Sequence, residues 1–406
     1  MLRNMYVKDL KPGMRVVDPG IDWRTRPYLY ASERFIDSEN TVQQILAQGY
    51  REVYVDLALS EANIAKRYGL AADCLTEPSA SRIPAIRSGS RQAPSRRATL
   101  REELPHAVRL HDEAVDCARR LMHFAGKGRL CKDMAEEMIG KLTDSLERNP
   151  DALFCLSFMR CHAPYVYTHC VNVAVLLAAF SLGAGSDKSR VMAYGLAGLL
   201  CDLGKAMLPV SLLSARRKLT DAEQALMRRH PMIVCEILSS SSGVCAEAFT
   251  AALEHHERYD GSGYPHGLSG DDLSELGQLA GIADSYDAMS SSRPFKSAAP
   301  PHKALAMLYH MRGKAFHSLL LERFVRMAGV YPVGSVVELT DGYRGVVSAV
   351  NPENPAKPSV TLVLDPQGRS MRLHEFDLAR DAVADISRCI PAELSGIDPA
   401  FILGLA

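Results

Sequence analysis

Seven side chains between positions 169 and 284 have the types that bind metals and move protons: His169, Cys201, Asp202, His230, His255, His256 and Asp284. Imidazoles mixed with carboxylates suit Fe, Mn or Zn better than Ca or Mg. A carboxylate standing between two sets of ligands can also bridge two metals, as two-metal phosphoesterases require. One histidine on an apolar helix is ordinarily a hydrogen-bonded core residue. Two adjacent ones, His255-His256, are harder to bury without a partner. In GLLCDLGKAMLP, residues 198–209, an apolar run ends in the Cys201 thiol and the Asp202 carboxylate. Past Gly204 it adds the ammonium of Lys205, a point charge suited to a phosphate oxygen.

The elements that must position these groups are helices. From about 105 to 328 the segments LPHAVRLHDEAVDCARRLMHF, CKDMAEEMIGKLTDSLERN, YTHCVNVAVLLAAFSL, SRVMAYGLAGLLCDL, LTDAEQALMRRHPMIVCEIL and KALAMLYHMRG carry apolar residues three and four apart. The ligand-type residues fall at the ends of these runs or at loop starts, and Asp221 and Glu223 sit where a helix dipole favours carboxylates. Before this block, residues 3–17 and 51–56 read as strands around a helix, SENTVQQILAQGY, opened by a Ser38 cap. That makes a small mixed α/β module over residues 1–70. A Pro/Ser/Arg-rich linker covers 71–104, and the helical domain 105–330. After it, VGSVVELTDGYRGVVSAV and SVTLVLDPQGRSMRL predict a small β-rich module over 331–380, followed by a weakly structured tail, 381–406.

The chain has 406 residues, 47% apolar and 23% charged, a globular composition long enough for two or three domains. Its formal net charge is zero, which gives no global field for DNA or an anionic membrane surface. No apolar run is read as approaching the roughly 18–20 residues that span a bilayer. MLRNMYVKDLK lacks the apolar centre of a signal peptide. Ten cysteines without CxxC pairing read as reduced thiols, which predicts a cytoplasmic protein.

One stretch narrows the chemistry. HHERYDGSGYPHGL, from His255 to Leu268, resembles the HD-GYP family, bacterial hydrolases of the second messenger cyclic di-GMP. The similarity spans roughly residues 160–330 and takes in Ala283-Asp284, Asp287 and Arg293-Pro294-Phe295. Upstream it includes His169, Asp202, Gly204-Lys205, Pro209 and His230-Pro231. The resemblance implies a mainly α, multi-helix HD-superfamily domain with two divalent transition-metal ions. It implies a metal shell of His169, Cys201, Asp202, His230, His255, His256 and Asp284, with Asp202 as the bridge and Asp202 and Lys205 as the catalytic pair. Lys205, Tyr264, Asp287, Arg293 and Lys296 would hold the dinucleotide.

Two positions depart from the family. Cys201 stands where the family has the His of its His-Asp pair. As a thiolate it can bind metal, as a neutral thiol it leaves one site with His169, Asp202 and Asp284, and as a relic it marks a receptor that binds without cleaving. Tyr165 stands one turn before His169 where trinuclear members carry Glu, which speaks against a third metal. The leading expectation is a cyclic di-GMP phosphodiesterase whose N-terminal module meets protein partners. Its rivals are a cyclic di-GMP receptor and a helical interaction scaffold.

Overall fold

The computed structural model describes residues 2–12, 14–17, 29–30, 34–36, 38–47, 51–56, 97–159, 164–215, 217–291, 298–380 and 384–405. At the N-terminus β1 (Leu2–Tyr6), β2 (Arg15–Val17), β3 (Leu29–Tyr30), β4 (Arg34–Phe35) and β5 (Glu52–Asp56) form one sheet. β5 pairs antiparallel with β1 and β2, with Met5 opposite Val53 and Val16 opposite Val55, and parallel with β3. Alternation along β5 turns Val53 and Val55 to one face, where they are fully buried with Val42 and Ile45 of α1 (Glu39–Ala47). Ser38 opens α1 as expected, its hydroxyl accepting the Thr41 N–H at 3.3 Å.

The helical domain comprises α2 (Leu100–Ala125), α3 (Lys132–Arg148), α4 (Pro150–Met159), α5 (Tyr165–Gly183), α6 (Lys188–Leu200), α7 (Val210–Leu213), α8 (Asp221–Met227), α9 (His230–Ser239), α10 (Ala246–Glu254), α11 (Glu275–Ser290), α12 (Pro301–His310) and α13 (Ser318–Ala328). α2 begins five residues before position 105. A capping box starts it: Thr99 Oγ1 accepts the Glu102 N–H, and the Glu102 carboxylate accepts the Thr99 N–H at 2.8 Å. The part of the expected linker over 71–96 lies outside the described residues, as do residues 57–70 of the expected N-terminal module. Buried Glu103 ties α2 to the end of α3, accepting Ser145 Oγ at 2.7 Å and both a 2.7 Å and a 2.9 Å bond from Arg148.

α4 shows no period in the sequence because residues 151–157 are all buried. α5 corrects the reading of the apolar runs. Its 19 residues are long and apolar enough to cross a membrane, but every residue from 168 to 181 is buried within the domain. Gly198 lets α6 lie against it, since a Cβ there would meet the Ala174 backbone at 2.8 Å. The single helix expected over 219–238 is two. α8 ends at Met227, and α9 starts at His230 with Pro231 in its first turn, where a missing N–H costs nothing.

β6 (Val336–Leu339), β7 (Arg344–Ala349), β8 (Ser359–Leu364), β9 (Ser370–Asp377) and β10 (Ile386–Cys389) make an antiparallel sheet in the order β10-β6-β7-β8-β9. The expected weak tail is instead ordered: β10 pairs with β6, and α14 (Ala392–Ser395) and α15 (Pro399–Leu403) follow it. Ile397 and Leu403 supply the apolar groups that hold it down. Gly334, with φ +95°, brings this sheet against Met159 of α4, and Val336 and Val346 join the core of the helical domain.

Candidate metal centre

The site is assembled around the second turn of α5, mostly from the ends of other helices. α6 stops at Leu200, so Asp202 is the second residue past the helix and leads into a 3-10 turn, Leu203–Met207. That turn lies against the start of α9. A Cβ on Gly204 would sit 2.2 Å from the His230 carbonyl oxygen, so the approach requires glycine. His255 caps the end of α10, with His256 next to it. Gly281 of α11 passes the His255 carbonyl closely, a Cβ there falling at 2.8 Å, and this presents Asp284 and Asp287 to His169 of α5. His169, Asp202, His230 and His255 are at most 2% exposed.

Two groups of ligand atoms share Asp202: one with His230, His255 and His256, the other with His169 and Asp284. Asp202 Oδ1 faces His230 Nε2 at 3.2 Å and His255 Nε2 at 3.6 Å, and these two nitrogens are 3.3 Å apart. His230 Nδ1 lies 2.8 Å from the Met227 carbonyl, and His255 Nδ1 lies 2.8 and 2.9 Å from those of Ala251 and Ala252. A carbonyl only accepts, so each Nδ1 carries a proton, and in a neutral ring each Nε2 then presents a lone pair. Three acceptors thus converge in a buried cleft, and Asp202 Oδ1 has no hydrogen-bond donor there. Such a cluster is costly unless a cation fills it. The nitrogen-rich donor set fits a transition metal.

In the second group the histidine lies between carboxylates on both sides. His169 Nδ1 meets Asp287 Oδ2 at 2.6 Å, and its Nε2 meets Asp202 Oδ2 at 3.0 Å and Asp284 Oδ1 at 3.1 Å. Burial disfavours charge on His169, but Tyr165 and the bonds to Asp202, Asp284 and Asp287 outweigh it and raise its pKa well above the usual range. Without metal the ring is therefore an imidazolium holding three carboxylates apart. Burial lowers the pKa of His230, and burial together with His255 lowers that of His256, which keeps both rings neutral and free to ligate. Burial works against the charge on Asp202 and Asp284. Lys205 and the histidines around Asp202, and His169 and His256 beside Asp284, nevertheless hold both carboxyls below the usual range.

Lys205 Nζ reaches Asp202 Oδ2 at 2.5 Å, with the side chain 19% exposed. Burial opposes its charge, and Asp202 and Asp284 more than restore it. With His256 and Asp284 it forms the edge of the cluster that solvent reaches. Tyr264 stacks on His256 with ring centroids 4.7 Å apart, and its N–H donates to the His256 carbonyl at 3.2 Å. The loop carrying it is wound on Glu257, whose carboxylate accepts the N–H groups of His266, Gly267 and Leu268. A Cβ on Gly263 would fall 2.4 Å from the Glu257 Cα, so this loop also needs glycine.

Two sequence expectations change. Cys201 is not among the converging atoms. Its S–H donates to the Gly198 carbonyl at 3.2 Å, and its side chain packs with Phe154, Val173 and Ala283 in an apolar cluster. Burial, then Asp202 and Cys170, push its pKa well up, so it is a neutral thiol. Asp287, expected to hold the dinucleotide, is turned to His169. It is 1% exposed and takes Asn172 Nδ2 at 2.6 Å and Ser291 Oγ at 2.9 Å besides His169, so it orients the ring. Asn172 was not singled out from the sequence. Its signal was a polar residue three positions after His169 on an apolar helix. Tyr165 sets its hydroxyl 3.0 Å from His169 Nδ1. Arg293 and Lys296 lie outside the described residues.

Comparison with known proteins identifies relatives of this chain. The HD domain family matches residues 134–318, and a domain of unknown function (DUF3391) matches residues 2–132. Cyclic di-GMP phosphodiesterase PA4108 of Pseudomonas aeruginosa is 31% identical over 86% of this chain and 81% of its own length. Cyclic di-GMP phosphodiesterase response regulator RpfG of Xanthomonas campestris pv. campestris is 40% identical over 37% of this chain and 39% of its own. The solved HDG"Y"P protein Bd1817 of Bdellovibrio bacteriovorus matches 80% of this chain and 98% of its own with a TM-score of 0.44 and 16% identity. A relative aligned over most of both lengths, together with the HHE and DGSGYP residues around a His/Asp cluster, makes this chain a member of the HD-GYP family.

Proposed function

We propose that the protein hydrolyses cyclic di-GMP at a two-metal centre bridged by Asp202. The observation that carries this reading is the pair of His/Asp ligand groups that meet at one carboxylate, Oδ1 facing one group and Oδ2 the other. His230, His255, His256 and Asp202 would hold one divalent ion, and His169, Asp284 and Asp202 the other. Fe, Mn and Zn fit these donors. Such ions lower the pKa of a bound water and neutralise charge on the phosphate. Asp287, braced by Asn172 and Ser291, keeps the His169 proton on Nδ1 and its lone pair on Nε2. Lys205, at the exposed edge, is placed to turn from Asp202 to a phosphate oxygen, where charge grows as the P–O bond breaks. Tyr264 lies at the mouth, and Arg293 and Lys296 are assigned to the substrate phosphates. With Tyr165 beside His169, the reading has no third metal.

Ten cysteines, eight of them free thiols among the described residues, fit a reducing compartment, and we assign the protein to the cytoplasm. The N-terminal sheet is the surface we assign to protein partners. A second reading, a cyclic di-GMP receptor, draws on Cys201, whose absence from the cleft leaves three side-chain ligands around the second ion.

Turnover of cyclic di-GMP by anaerobically purified full-length protein loaded with Mn or Fe(II) separates the two. Hydrolysis that is lost in Asp202→Ala supports the enzyme. Tight binding to fully loaded protein without turnover supports the receptor, and neither binding nor turnover overturns both.

A further inference from the structure

A groove of about 470 Å³ opens beside Tyr264, within the range of small-molecule sites. One wall is α8 and the turn after it, with Asp221, Gln224, Arg228 and Arg229, and the other is Tyr264 and Pro265. Asp221, Gln224 and Arg228 are three and seven positions apart, one face of a helix. The Arg228 guanidinium lies over the Tyr264 ring at 5.1 Å, and Tyr264 stacks on His256 of the metal cluster. A run of ring and guanidinium contacts therefore leads from His256 out into the groove. Arg229 immediately precedes His230, so its position is fixed by a buried ligand.

The metal centre and Lys205 can engage one phosphodiester, whereas a cyclic dinucleotide brings two phosphates and two bases. Guanine offers acceptors at O6 and N7 and donors at N1 and N2, and adenine offers neither O6 nor a proton on N1. The groove carries the complement: a carboxylate acceptor in Asp221 and forked donors in the arginines. We propose that this groove is a guanine-reading subsite for the nucleotide that does not sit on the metals. Asp221 accepts from N1–H and N2–H, Arg229 donates to O6 and N7, and Arg228 on Tyr264 forms the flat wall beside the base. This rests on cyclic di-GMP as the substrate and adds a basis for rejecting adenine analogues.

The test uses metal-loaded full-length protein with Asp221→Asn and Arg229→Ala. Three substrates are compared: cyclic di-GMP, cyclic di-AMP and bis(p-nitrophenyl) phosphate, which has no base. Each substitution should raise KM for cyclic di-GMP about 10- to 100-fold, as expected for one lost base contact. The preference over cyclic di-AMP should shrink, with metal content and aryl diester hydrolysis unchanged. Unaltered KM and base preference in both variants, while wild type cleaves cyclic di-GMP, would overturn the subsite and leave the substrate reading intact. Wild type that cleaves the aryl diester but neither binds nor cleaves cyclic di-GMP would overturn the substrate reading itself.

Discussion

The two carboxylate oxygens of Asp202 point into different clefts, and each cleft is held by a different kind of support. His230 and His255 are oriented by backbone carbonyls, so their tautomers follow from the fold. His169 is oriented by a side chain, Asp287, which in turn depends on Asn172 and Ser291. Cys201, adjacent to Asp202 in sequence, belongs to neither cleft. Two substitutions test this division. Cys201→Ala should keep the wild-type metal content and cost roughly 1 kcal/mol of stability through lost packing. Asp287→Ala, which removes no atom facing the ions, should weaken metal affinity about 10- to 100-fold. Metal content after dialysis against a buffered metal solution reads both. A large metal loss in Cys201→Ala would return the thiol to the ligand set.

At the scale of elements, the centre depends on close approaches that only glycine permits. Gly204 lets the turn after α6 touch the first residue of α9, and Gly281 lets α11 pass the end of α10. Gly204→Ala places a methyl 2.2 Å from the His230 carbonyl oxygen, so the turn bearing Asp202 and Lys205 must separate from α9. The expected result is a lower Tm together with loss of metal, and a variant that keeps full metal content would show that the turn yields without moving Asp202. This dependence on contacts between distant segments explains what the sequence did not disclose. Residue types and helix-end positions marked the ligands, and local capping signals marked helix starts. The direction of a side chain at a helix end is set by packing, so Cys201 and Asp287 could not be assigned from type and spacing. α4 escaped notice because a helix buried on all sides has no period. The split between α8 and α9 escaped because the periodicity runs across it, although Pro231 marked the place.

Over the whole molecule, helices from 100 to 328 enclose a site whose ligands are drawn from α5, the end of α6, the start of α9, the end of α10 and α11. The ordered C-terminal sheet shares their core, so it is part of the body that holds the site rather than an appendage. In the proposed centre one residue bridges both ions, so its two halves should fail separately or together in a defined way. The most direct test is the metal count per chain, by mass spectrometry of anaerobically loaded full-length protein, in wild type and three variants. Wild type should hold about two ions, as a two-metal centre requires. His230→Ala and Asp284→Ala should each lose one, and Asp202→Ala should lose both. If Asp202→Ala retained two ions, the carboxylate would not be the bridge, and the arrangement of the centre described above would be wrong.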